Sequence, residues 1–322
     1  MRPLSWLVAF LARRRRRHLK RMSNATRPAV IIVGNLVAGG AGKTPLVIAL
    51  CQALSAKGLK VGLLARGYRR TGDEPLLLAP ATTAAEAGDE ALLLSRATGR
   101  PVAVGARRAD ALALLTRHVP DLDVVLSDDG LQHVALPRRL ELVVMHAKGL
   151  GNARCLPAGP LREPADRLKS VDAVLLPAPR LPDQHDAPAG APRCFPTHTR
   201  IRGIRTLDGR QHWRPEDFAQ AFRQAQLDAV AGIARPERFF DTLTGLGLSI
   251  RPHPLPDHAQ LDPRWLAGLP GRWIIMTAKD AVKLDELPPS LRDRCLVLDI
   301  EAVPDTALVE WLIAELAPHR SS

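Results

Sequence analysis

Short apolar runs recur along the first half of this chain, and several are followed by stretches whose apolar positions return every three or four residues. Ala29-Val-Ile-Ile-Val33 is the first uninterrupted run before such a stretch and reads as a strand buried on both faces. Residues 45–54 then carry helical spacing. The alternation continues with a strand at 60–65, a helix at 89–97, a short strand at 101–104, a helix at 107–117, and strands at 123–127 and 140–145. This order predicts an α/β fold with a mostly parallel sheet covered by helices, whose ligands gather at the carboxyl ends of the strands. Near Leu175 the texture changes. Residues 177–196 are rich in Pro, Ala and charge and read as an irregular connection. Beyond them, 228–232, 235–243, 273–277 and 296–300 predict a second, smaller α/β unit, closed by a helix at 304–316. The expected division is a leading segment 1–24, a core domain 25–175 and a smaller domain 176–322.

Between the first strand and the first helix of the core lies Val33-Gly-Asn-Leu-Val-Ala-Gly-Gly-Ala-Gly-Lys-Thr-Pro45. Strand, glycine-rich turn, Lys-Thr and helix start together make a phosphate-binding loop, so the core is expected to be P-loop NTPase-like. Glycines let successive backbone N–H groups converge on phosphate oxygens, and the helix N-terminus favours negative charge. Gly39, Gly40, Ala41, Gly42, Lys43 and Thr44 are the candidate ATP-binding residues. Lys43 would reach the β- and γ-phosphates, and the Thr44 hydroxyl would hold magnesium. Val37 stands where the usual pattern has its first Gly, so the loop is a variant.

Charge changes the picture at the N-terminus. Formal net charge is +12, no Asp or Glu precedes Asp73, and Arg13 to Arg17, Lys20 and Arg21 form one dense cluster. Such a surface suits nucleic acid or an anionic membrane. Aromatic content of 4% with a single Tyr argues against a stacking platform for single strands. Leu4-Ser-Trp-Leu-Val-Ala-Phe-Leu-Ala12 is apolar and runs straight into the arginines. It is far short of the roughly 20 residues that span a bilayer, and its basic block follows rather than precedes it, unlike a secretory signal. An N-terminal interfacial helix on an anionic membrane surface is the expectation, with no nucleic-acid partner. Cys51, Cys155, Cys194 and Cys295 have no metal or redox spacing and read as reduced thiols.

Asp128 and Asp129 follow the strand at 123–127 and are the expected magnesium-side carboxylates beside the phosphate loop. Strand alternation points the two in opposite directions, and the spacing does not choose between them. Ser127-Asp-Asp-Gly-Leu-Gln-His133, taken with the loop at 33–45, resembles the tetraacyldisaccharide 4'-kinases, the lipid A 4'-kinases of Gram-negative bacteria. Ala65-Arg-Gly-Tyr68, Gly88-Asp-Glu90, Gly151-Asn152 and Leu156-Pro-Ala-Gly-Pro-Leu-Arg-Glu-Pro164 extend the resemblance. So do Ala231-Gly-Ile-Ala-Arg-Pro236, Pro256-Asp-His258 and Met276-Thr-Ala-Lys-Asp-Ala-Val-Lys283, until it spans nearly the whole chain. That family's loop also lacks the first Gly.

The resemblance implies transfer of the γ-phosphoryl of ATP to the 4'-hydroxyl of a tetraacylated glucosamine disaccharide 1-phosphate. It implies a peripheral protein at the cytoplasmic face of the inner membrane, using ATP and Mg2+, with no protein partner expected. A sugar hydroxyl is a poor nucleophile and needs a base, for which the resemblance implies an Asp–His pair, here Asp89 and His258. Each half of the chain supplies one, so closure of the halves is expected to assemble the site. Arg66, Tyr68, Arg107 and Arg108 are candidates for the disaccharide's phosphate or head group, because Arg suits bidentate phosphate contact. Glu163, in a proline-bounded loop, is a further candidate for magnesium, and His133 a candidate for lining the site. The chain departs from the family at Ala259, where a second His is usual, and at Ala278, where Glu is common. Two rival classes are a membrane-positioned nucleotide-switch ATPase, which usually carries a Lys where Ala38 stands, and a nucleic-acid-binding NTPase.

Overall fold

A computed structural model describes residues 2–19, 21–22, 28–39, 42–145, 148–178, 193–284 and 287–317. The chain opens with helix α1 (Arg2–Arg16). Then come β1 (Ala29–Gly34), α2 (Lys43–Ala56), β2 (Val61–Ala65), β3 (Leu76–Leu77), α3 (Ala84–Ala87), α4 (Asp89–Thr98), β4 (Val102–Val104) and α5 (Arg108–His118). Strands β5 (Val124–Asp128), β6 (Leu140–Val144) and β7 (Ala173–Pro177) complete the first half. The expected helices and strands of this half are present, with ends within about two residues of those read from periodicity.

All six residues of β1 are buried because helices cover both faces of the sheet. Ile31 and Val33 face one core with Leu46, Val47, Leu50 and Leu54 of α2. Val30 and Ile32 face the other core with Ala111 and Leu115 of α5. β1 lies between β5 and β6, parallel to both. β5 pairs with β2, and β2 with β4, also in parallel.

The second half contains β8 (Cys194–Thr206), β9 (His212–Trp213), α6 (Pro215–Ala221), β10 (Gln226–Ala231), α7 (Pro236–Gly245) and β11 (Ser249–Pro254). It continues with α8 (Pro263–Ala267), β12 (Trp273–Thr277), α9 (Ala278–Ala281), α10 (Pro289–Arg292), β13 (Cys295–Pro304) and α11 (Thr306–Leu316). Among the described residues the strands of both halves form one sheet, ordered β11-β10-β12-β13-β8-β7-β6-β1-β5-β2-β4-β3, with β9 on β8. Its centre is the long antiparallel pair β8 and β13, which joins the halves. Apart from this pair and the short strands β3 and β9, neighbours run parallel.

Periodicity does not foresee β8, which is mostly half-exposed and begins inside the stretch expected to be irregular. Most of that stretch, 179–192, lies outside the described residues. β11 holds Pro252 and Pro254 and sits at the sheet's end, where a missing N–H costs no ladder bond. α11 returns to the first half, where Leu308, Leu312 and Leu316 join the α2 core.

The four cysteines are unpaired. α1 rests on the body through Ser5, whose hydroxyl donates to the Cys155 carbonyl and accepts from Ala158 N–H at 3.2 Å. Arg13 and Arg16 pair with Asp166 at 2.9 and 3.3 Å. Leu4, Trp6, Leu7, Phe10 and Leu11 are left exposed, Trp6 by 77%. No helix among the described residues is long and apolar enough to cross a membrane.

Candidate active site

The phosphate loop joins β1 to α2. Gly42 precedes the helix with φ +74, a left-handed conformation that glycine adopts without steric cost. Buried Asn35 donates through Nδ2 to the carbonyls of Val37 and Gly39 at 2.6 and 3.3 Å, which pins the loop. Its Oδ1 accepts from Lys43 Nζ at 2.9 Å. Lys43 also pairs with Asp129 at 2.9 Å, and the Thr44 hydroxyl donates to Asp128 at 3.0 Å. Gly39 lies in this loop; Gly40 and Ala41 fall outside the described residues.

Asp128 and Asp129 stand in opposite roles. Asp128 ends β5 and is 4% exposed; its Oδ1 has no hydrogen-bond partner. Burial, followed by the Glu90 charge, pushes its carboxyl up to about 7 against the pull of Lys43. A buried carboxylate with an unpartnered oxygen, next to the Thr44 hydroxyl, is a donor set that fits magnesium, a cation that takes hard oxygens. At Asp129 the chain turns with φ +52. Burial would raise this carboxyl, but Lys43 and Arg162 outweigh it and hold it down at about 2. Arg162 reaches both carboxylate oxygens, at 2.8 and 3.1 Å. Glu163 belongs to a neighbouring buried network: it accepts from Gln132 at 3.0 Å and pairs with Arg167 at 3.4 Å.

On the other side, Asp89 opens α4 and is 6% exposed. Gly88 before it has φ +82, and a Cβ there would stand 3.0 Å from the Tyr68 carbonyl and 3.1 Å from Gly67 backbone, so only glycine fits. His258, in the turn after β11, places Nδ1 2.9 and 3.0 Å from the two Asp89 oxygens. Burial opposes ionisation of Asp89, but the His258 hydrogen bond and the charges of Lys279, His258 and Lys283 bring its pKa below the ordinary carboxylate value. The Tyr68 ring packs on the imidazole at 4.8 Å. Arg69 donates to the carbonyls of Asp257 and His258 at 3.3 and 3.2 Å, tying the first half to the turn from the second. Among the described residues four non-glycines have positive φ; Arg69, Asp129 and His258 are three of them. Each is held in that disfavoured conformation by contacts within the site.

A third group is cationic. Arg108 is 1% exposed and donates to the Gly105 carbonyl at 2.5 Å, while its Nε and Nη2 have no hydrogen-bond partner. Burial lowers its pKa to about 10, against the charges of Asp128 and Asp129. Burial, then Arg108 and Arg66, push His133 down to about 4. The Arg66 guanidinium lies 5.6 Å from the Tyr68 ring centroid. Unspent guanidinium donors beside a second Arg suit an anion. Arg107 is not drawn in: its side chain is 87% exposed and pairs with Asp110 at 2.7 Å, because successive residues at a helix start point in different directions.

Asn35, Arg69, Arg162 and Lys279 are site residues that sequence reasoning did not single out. Asn35, Arg162 and Lys279 lie inside the motif blocks, and Arg69 directly follows Ala65-Arg-Gly-Tyr68. Their partners are remote in sequence or are backbone carbonyls, so no spacing rule points to them.

A family model for LpxK, tetraacyldisaccharide-1-P 4'-kinase, matches residues 1–317. The tetraacyldisaccharide 4'-kinase of Alcanivorax borkumensis is 45% identical over 286 residues, covering 88% of this chain and 83% of that protein. That of Alkalilimnicola ehrlichii is 44% identical over 98% of this chain and 92% of its own. Among solved structures, LpxK from Aquifex aeolicus in complex with ATP superposes with a TM-score of 0.78 at 25% identity, covering 98% of each chain.

Proposed function

The chain belongs to the tetraacyldisaccharide-1-P 4'-kinase family, and from that premise we propose how its own residues carry the reaction. It phosphorylates the 4'-hydroxyl of tetraacyldisaccharide 1-phosphate at the expense of ATP, giving the bisphosphorylated precursor of lipid A. Gly39 to Thr44 cradle the phosphates of ATP, with Lys43 on the transferred group. Thr44 and Asp128 would hold magnesium, which would supply charge neutralisation at the phosphate oxygens. Asp129, braced by Arg162, keeps Lys43 extended toward the loop's mouth. Asp89 fixes the imidazole of His258 through Nδ1, which leaves Nε2 to take the proton of the acceptor hydroxyl. Arg66, Tyr68 and Arg108 receive the anionic head group of the acceptor.

The protein works at the cytoplasmic face of the inner membrane as a peripheral protein. The exposed apolar face of α1, followed by arginines, supports this: its side chains suit the acyl boundary and its cations suit lipid phosphates.

The observation that carries the reading is the two-point contact between Asp89 and His258, which lie 169 residues apart. The test is product analysis by mass spectrometry after incubating purified protein with MgATP and the lipid disaccharide. A doubly phosphorylated acceptor is expected. ATP hydrolysis with the acceptor unchanged would sink the reading. Deletion of residues 1–21 is expected to abolish binding to anionic vesicles.

A further inference from the structure

The edge of His258 that faces away from Asp89 is already engaged. Lys279, the second residue of α9, places its ammonium 3.3 Å from His258 Nε2 and 3.0 Å from Glu90 Oε1. It is 3.5 Å from Asp257 Oδ1 and 3.9 Å from Asp89 Oδ2. An ammonium has hydrogens and no lone pair, so the nitrogen it meets must accept. An ionised carboxylate only accepts, so the nitrogen between the two Asp89 oxygens must carry the hydrogen. The two neighbours therefore dictate one tautomer, with N–H at Nδ1 and a lone pair at Nε2.

We propose that Lys279 is a positioning residue of the phosphoryl transfer, fixing His258 in the Nδ1–H tautomer and keeping Nε2 unprotonated until the acceptor hydroxyl arrives. The proposal rests on the kinase reading above. In the transfer the acceptor oxygen bonds to the γ-phosphorus and its O–H bond breaks, the proton passing to Nε2. The bond from the γ-phosphorus to the β,γ-bridging oxygen breaks, and its electron pair leaves on ADP. Lys279 gives up its hydrogen bond to Nε2 as the acceptor O–H takes that place and stays paired with Glu90 and Asp257, while the imidazolium so formed is held by Asp89.

The groups around His258 set the size of the effect. Asp89 and Glu90 come from α4, Asp257 from the same turn at 3.7 Å from Nε2, and Lys279 and Lys283 from the segment after β12. Tyr68 covers one ring face, and Arg69 holds the turn by its carbonyls. Burial works against the Lys279 ammonium, but Glu90, Asp89 and Asp257 outweigh it and raise its pKa, so the side chain stays charged across the working range.

The experiment combines imidazole 15N NMR of the full-length protein with kcat and KM for the lipid disaccharide, in wild type, Lys279→Met and Lys279→Arg. Wild type is expected to show Nδ1–H. Lys279→Met should let the Nε2–H tautomer appear and lower kcat/KM about 10-fold or more, and Lys279→Arg should restore the wild-type tautomer and most of the activity. An Nε2–H tautomer in wild type would overturn the proposal, even if Lys279→Met failed to fold. So would a Lys279→Met protein whose activity falls while His258 keeps the wild-type Nδ1–H signal. Absence of transfer by wild type would overturn the kinase reading, and the tautomer measurement would still decide the arrangement of Lys279 and His258.

Discussion

The two sides of the site are built in different ways. On the phosphate side Lys43 and Thr44 begin α2, which follows β1, and Asp128 and Asp129 stand at the end of β5, which pairs with β1. On the proton side Asp89 comes from the first half, and His258 and Lys279 from the second. The first side is held by adjacent strands and a loop pinned by Asn35, with α2 backed by Leu308, Leu312 and Leu316 of α11. The second exists only while the halves meet. A phosphate grip can be rigid and local, whereas a base that must act only on a bound acceptor gains from being assembled across a joint, which withholds it from water.

If the sides are separate, they should fail separately. Asp89→Asn is expected to lower kcat by about 10²–10⁴-fold with MgATP affinity unchanged; weakened MgATP binding measured by calorimetry would break the distinction. Lys43→Ala should cost about 10²–10³-fold in turnover and weaken MgATP, while the His258 resonances stay in place. Arg69→Ala sharpens the comparison further. It removes only two bonds to carbonyls, so kcat/KM should fall about 10-fold or less, with faster hydrogen exchange confined to residues 256–259 and none gained at the phosphate loop.

The smallest effect is one of stability. Asp89 has a folded-state pKa below its ordinary 3.8. Its contribution is therefore present above pH 3.8 and is lost as pH falls through the lower folded value. The Tm difference between wild type and Asp89→Asn should shrink over that acid range; a gap that widens there would contradict the assignment.

The same contrast separates what the residues revealed from what they concealed. The phosphate loop was legible because its chemistry needs glycines, Lys and Thr at fixed spacing between a strand and a helix. The Asp128-Asp129 pair was legible as a pair, but not its division of labour: the turn at Asp129 and the arrival of Arg162 from 33 residues away send one carboxylate to a cation and leave the other to Thr44. Arg108 read, with Arg107, as a candidate for the acceptor's head group, and its guanidinium is buried. Arg107, equal to it in sequence terms, faces solvent. β8 escaped detection because a strand exposed along much of its length carries little hydrophobic alternation.

By itself, the order of residues determined most elements of the first half of the sheet, the phosphate loop and the family, because these depend on local periodicity and on short motifs whose atoms act together. Tertiary structure alone decided that α11 returns to the first core, that Asn35 steadies Lys43, and that Lys279 confronts the imidazole which Asp89 grips. Those contacts join residues that no period links. Their geometry comes from how two packed halves of one sheet bring their strand ends together.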